Sequence, residues 1–147
     1  PSRDALADYR RLRDELEIPI AMHLHINDRG SLGMVDAIAA GSCDIFNLGA
    51  GSTQDFLGRA YLAQEAGIPV WHGSAHELGI LDAAILHACA AAPACTLPSD
   101  ILSCQREHNL LTTSLDVVDS CIRVPDGPGL GVELDEDALQ RYAVTAG

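Results

Sequence analysis

Six histidines and no lysine define the chemistry open to this chain. Imidazole titrates near neutral pH, so it can take or give a proton, and in its neutral form it can bind a divalent metal. A lysine base or Schiff base would have to come from elsewhere, because all nine basic residues are arginines. His23 and His25 lie two apart in the run PIAMHLHI, and in an extended segment that spacing puts both on one face with Ala21. His72 closes the short run PVWH, and Ser74, His76 and Glu77 follow it. These three either contact a substrate or cap the next helix. Asn47, in DIFNL, shares a strand face with Ile45 and Gly49. Its amide either hydrogen-bonds a substrate carboxylate or is a polar group at a strand end. Ser99 and Asp100 end the run LPSD. A carboxylate there either orients a substrate or a histidine, or serves as a helix cap or solvated loop residue. His87, among Ala and Leu, reads as packing, and His108 carries no signal.

The five cysteines are Cys43, Cys89, Cys95, Cys104 and Cys121. The count is odd and no CxxC or short CxxH pair occurs, so neither a disulfide framework nor a zinc site is expected. Cys89, inside an Ala-rich run, reads as a small hydrophobe. A reduced, cytoplasmic protein is the expectation.

The elements that must position these residues alternate between helix and strand. Residues 3–16 read as an amphipathic helix with Leu6, Tyr9, Leu12 and Leu16 at helical spacing. Residues 19–26 form a strand, 32–40 a helix closed by Gly41, and 44–48 a second strand ending in the turn GAGS. A helix over 53–66 takes Ser52 or Thr53 as its N-cap and Gly67 as its C-terminal stop. Residues 69–72 are a third strand, 78–92 a very apolar helix and 95–97 a short fourth strand. A polar loop, the stretch VPDGPGLGV and an acidic final helix follow. Four short apolar strands separated by helices predict parallel β/α units with both faces of the sheet buried. Periodicity alone leaves open whether the sheet is doubly wound or half of a barrel.

Composition narrows the partners. The chain has 147 residues, 48% of them hydrophobic, and a formal charge of −12. It is apolar enough to fold. The acidic balance argues against nucleic acid and against an anionic membrane surface as partners. No apolar run reaches the ~20 residues of a membrane helix, and the first residues carry no signal-peptide pattern.

The segment VPDGPGLGVELDEDALQRY, residues 124–142, resembles the C-terminal signature of the mandelate racemase and muconate lactonizing branch of the enolase superfamily. EIPIAMH is similar to that family's fifth barrel strand (usually IPIAxDE), and GSCDIFNLG to the sixth (usually GaxDixnxK). AQEAGIPVWHGS is similar to the end of the sixth helix and the seventh strand, and CTLPSDI to the eighth. These segments follow in family order along nearly the whole chain. The resemblance implies an α/β fold: half of a (β/α)8 TIM-type barrel, strands five to eight, with a C-terminal return segment, as one domain over residues 1–147. A complete barrel takes roughly 250 residues. The chain is therefore expected to begin inside a barrel, at the fourth helix, as a fragment, a cleavage product or one subunit of a split enzyme. By itself this segment is expected to be inactive.

By resemblance, the complete enzyme binds a divalent metal, magnesium in the family, and a small carboxylate substrate. It abstracts the proton α to that carboxylate, as a dehydratase, racemase or epimerase. The family's third metal carboxylate falls at His23, and a histidine ligand there would suit a transition metal better than magnesium. His25 is a weaker candidate ligand. Members with a second catalytic lysine carry it near Gly49, where this chain has none. Members using a seventh-strand histidine as base or acid place it at His72, the expected catalytic residue, with Asn47, Ser74, His76 and Asp100 as substrate contacts. Expected partners are the N-terminal half of the enzyme or another copy of the chain, within a homo-oligomer. Two other readings stand beside this one. One is a non-catalytic half-barrel that self-associates. The other is a metal-dependent hydrolase, because the His23/His25 pair resembles that of amidohydrolase barrels, although on a different strand.

Overall fold

A computed structural model describes residues 3–24, 31–49, 51–74, 76–102 and 105–144. The chain divides into two compact units, one of residues 1–74 and 88–100, the other of residues 75–87 and 101–147.

The first unit is built on a parallel sheet. Helix α1 (Arg3–Glu15) leads to β1 (Ala21–Leu24), α2 (Ser31–Ala40), β2 (Ile45–Leu48), α3 (Thr53–Glu65) and β3 (Val70–His72). The strand order is β1-β2-β3, as expected for successive β/α units. Local sequence sets the boundaries. Ser52 caps α3 by accepting from the Asp55 N–H at 3.2 Å. Gly41 and Gly67 follow α2 and α3 at φ +60° and +69°, a left-handed conformation that costs glycine little.

The sheet has unlike faces. Met22, Leu24, Phe46, Leu48, Val70 and His72 are buried on one side, where α3 packs on β2 and β3. Ala21 and His23 are exposed on the other, and Ile45, Asn47 and Trp71 keep partial exposure. The sequence predicts burial on both faces; in the structure the helices cover one. Two further expectations also change. Leu12 and Leu16 of the α1 stripe stay 42% and 44% exposed, while Leu6 is buried. The fourth strand over 95–97 reduces to a single parallel bridge of Cys95 with Val70, because Pro98 has no N–H to extend a ladder.

Asp44 stands at the start of β2, away from the strand ends where chemistry is expected. Its carboxylate accepts from Ile20 N at 2.9 Å and from Arg13 Nε at 2.6 Å. The Ile20 N–H first, then Arg13, holds its pKa below the ordinary carboxylate value. With the folded pKa depressed, the unfolded chain binds more protons, so this contribution is present above the unfolded pKa, near 3.9. It is lost as pH falls through the folded pKa. Asp44→Asn is therefore expected to flatten the acid limb of a stability–pH curve below about pH 5. An unchanged limb would contradict the assignment.

Helix α4 (Gly79–Ala91) spans the division between the units, and the second unit adds β4 (Val117–Val118), β5 (Cys121–Ile122) and α5 (Glu136–Tyr142). β4 and β5 form an antiparallel hairpin within the expected polar loop. Its turn places Asp119 and Ser120 at φ 50° and 62°, the geometry of tight hairpin turns. Asp135 caps α5, accepting from Ala138 N at 2.8 Å. His87, half-buried, has its Nε2 3.2 Å from the Leu130 carbonyl oxygen. His108 lies 3.4 Å from Asp135 and faces Tyr142. No helix among the described residues is long and apolar enough to cross a membrane.

Candidate functional site

Parallel pairing aligns the C-terminal ends of the three strands, and the register decides which side chains meet there. His23 is level with Asn47, and Asn47 with Trp71, all on the more open face. One step further, Gly49 and Gly73 continue β2 and β3. A Cβ at Gly49 would lie 3.7 Å from His23 Cε1 and 3.9 Å from the Gly73 carbonyl oxygen. A side chain or a ligand atom therefore fits there, framed by an imidazole and a carbonyl. At Gly73 the reverse holds, because a Cβ would fall 2.0 Å from Asn47 Oδ1. Glycine there lets the Asn47 carboxamide lie against the backbone of β3. That buried Oδ1 has no hydrogen-bond donor among the described residues.

His72 falls on the other side of the sheet. It is level with Leu48 and Leu24, fully buried, and meets the Phe56 ring edge-on at a centroid distance of 5.8 Å. Alternation along β3 gives the open face to Trp71, so His72 does not join His23 and Asn47. Its backbone is fixed by the segment that follows α4: His72 N donates to Ser99 Oγ at 3.0 Å, and Asp100 N donates to the His72 carbonyl at 2.9 Å.

The other expected site residues are dispersed. Ser74, partly buried, follows β3 in the first unit, and the exposed Asp100 belongs to the same unit. His76 belongs to the second unit, at φ 64°, and its carbonyl accepts from the Arg106 guanidinium. His25 lies outside the described residues, so the His23/His25 pair has no described geometry. Trp71 and Gly73 were not among the expected site residues. They are the immediate neighbours of His72 on the opposite face, and the pairing of Asn47 with Trp71 would have found both.

As a metal site, the face offers the His23 imidazole and the Asn47 amide oxygen, without a carboxylate among the described residues. No cluster of three or more His, Cys, Asp or Glu among the described residues could hold a metal ion. Magnesium demands oxygen ligands in near-octahedral array, and this donor set does not fit it.

Successive parallel β/α units with polar side chains at the C-terminal strand ends define an α/β protein of the barrel or doubly wound class. The chain belongs to the enolase C-terminal domain-like family, whose pattern matches residues 1–138. It is 33% identical over 146 residues to the N-succinylamino acid racemase of Thermus thermophilus, covering 96% of this chain and 39% of that protein. It is also 33% identical over 145 residues to the o-succinylbenzoate synthase of Geobacillus stearothermophilus, covering 95% and 38%. Among solved structures, the muconate lactonizing enzyme from Pseudomonas putida superposes with a TM-score of 0.83 at 26% identity, over 97% of this chain and 40% of that one. The N-succinyl Arg/Lys racemase from Bacillus cereus gives 0.86 at 23% identity, over 98% and 39%, a likeness of fold. The chain thus spans about two fifths of the length of these relatives.

Proposed function

We propose that this chain supplies strands five to eight of a (β/α)8 barrel in an enzyme that abstracts the proton α to a carboxylate. The outcome is racemisation, epimerisation or dehydration of a small carboxylic acid. The observation that carries the reading is the strand-end face, where His23, Asn47 and the open space at Gly49 converge, within a chain that matches the family over residues 1–138. The relatives' names, racemase and synthase, fit that class of reaction. Magnesium's carboxylates would come from outside this face. The remaining strands come from the N-terminal half of the same enzyme or from a second copy. β1 pairs only with β2 among the described residues, and its outer edge suits an added strand.

In this reading His23 is the proton-transfer group that this chain contributes, because it is the imidazole on the open face. Asn47 lines the same face beside His23, and His72 acts in packing. The test is exchange of the α-proton for deuterium, followed by NMR. The substrates are a panel of N-succinylamino acids and hydroxy acids, and the protein carries its natural flanking sequence. His23→Ala is expected to slow exchange on the order of 100-fold with an unchanged circular dichroism spectrum. His72→Leu is expected to lower Tm while exchange persists below the transition. Exchange retained in His23→Ala but lost in folded His72→Leu would reverse the two roles.

A further inference from the structure

The carboxamide of Asn47 lies against the backbone of β3, and one residue permits it. Asn47 pairs with Trp71. Gly73, two residues on, continues the side of Trp71, its N–H donating to the Leu48 carbonyl at 3.2 Å. A Cβ at Gly73 would stand 2.0 Å from Asn47 Oδ1, 2.9 Å from Cγ and 3.0 Å from Nδ2, so any side chain larger than hydrogen there must displace the amide. The two ends of that amide are unlike. Oδ1 is buried with no donor among the described residues, while Asn47 as a residue keeps partial exposure. Nδ2 is therefore the end turned to the open face. A buried acceptor without a donor costs free energy that an apolar side chain would avoid. An asparagine in this place is explained by what its Nδ2 does.

We propose that Gly73 is a positioning residue of the strand-end site: it turns Asn47 Nδ2 outward, where the amide donates a hydrogen bond to a carboxylate oxygen of the substrate. This rests on the strand-end face being a substrate site, as proposed above, and adds the ligand chemistry of one corner of it. An amide nitrogen only donates, so Nδ2 recognises an acceptor and holds no metal ion. A hydrogen bond to an ionised acceptor is roughly twice as strong as one to a neutral acceptor, which favours an acid over its amide. The neighbours suit an anion, since His23, Asn47, Gly49, Trp71 and Gly73 include no carboxylate. The open space at Gly49 lies two residues further along the same face, where a Cβ would be 3.7 Å from His23 Cε1. An acid held at Asn47 thus has room for its remaining atoms beside the imidazole.

The experiment titrates the protein, with its natural flanking sequence, with benzoate, a carboxylate that has no α-proton, and follows the Asn47 side-chain amide by NMR. Asn47→Asp, of the same shape, assigns that signal by its loss. The expected result is a downfield move of the Asn47 amide protons as benzoate binds, with benzamide binding more weakly. Asn47→Ala and Gly73→Ala are each expected to weaken benzoate about 10-fold, and the double variant no further than either. Where Gly73→Ala does not fold, Asn47→Asp carries the test: its outward carboxylate repels benzoate, so it is expected to bind more weakly than Asn47→Ala. A folded Gly73→Ala with a lowered Tm but unmoved benzoate affinity would make Gly73 structural only and overturn the proposal. So would benzoate that binds without moving the Asn47 amide, or that does not bind. Absence of α-proton exchange beside an intact benzoate response would instead overturn the proton-transfer reading and leave this one standing.

Discussion

Replacing Arg59 with alanine is expected to lower the unfolding free energy by about 3 kcal/mol, read as a shift in the urea midpoint at constant slope. Arg59 is 1% exposed, in the middle of α3. Its Nη1 donates to the Leu24 carbonyl at 3.2 Å, and its Nε donates to Asp55 at 3.1 Å. The guanidinium therefore ties α3 to the end of β1, directly after His23. Alanine removes the only donor described for a carbonyl that water reaches poorly, and a cavity replaces the aliphatic stem. Asp55 keeps a 28% exposed side chain, so it can regain water and adds little to the loss. Arg59→Met separates the two contributions, since it restores most of the stem but no donor. It is expected to recover part of the loss. A change under about 0.5 kcal/mol for alanine, the range of ordinary surface substitutions, would mean that the tie contributes nothing.

Phe56→Ala is expected to cost about 4 kcal/mol, within the usual range for a buried phenylalanine. The ring is fully buried and meets the His72 imidazole edge-on, the planes 82° apart. Such pairs add roughly 0.5–1.5 kcal/mol beyond area burial. Phe56→Ala combined with His72→Leu should thus cost less than the two single changes added together, a coupling that a double-mutant cycle measures. Strict additivity would place the two rings out of contact. The same cycle bears on function, because an imidazole that couples to Phe56 is on the helix side of the sheet.

Much of this architecture was legible in sequence because local chemistry marks it. Ser52, Gly41 and Gly67 end helices for reasons confined to a few residues, and Pro19 and Pro69 precede β1 and β3. The position of His72 was not legible, because a three-residue strand gives too short an alternation to fix its face. That face is set by pairing with Leu48, a long-range fact. The run 95–97 reads as a strand by apolar content, yet its pairing stops after one bridge, at a proline. The β4–β5 hairpin was hidden for another reason. Its turn uses Asp119 and Ser120 at positive φ where glycine or asparagine is the usual signal. In the candidate site, His23 and Asn47 followed from alternation along β1 and β2, which are longer. The room at Gly49 and the close approach at Gly73 depend on neighbours from other strands, and no local pattern reports them.

The most direct test of the central claim is deuterium incorporation at the α-carbon of the carboxylate panel by the unsubstituted protein with its natural flanking sequence. The account predicts incorporation that requires folded protein. A folded protein that leaves every member of the panel unexchanged would contradict it, and would favour a half-barrel whose role is association.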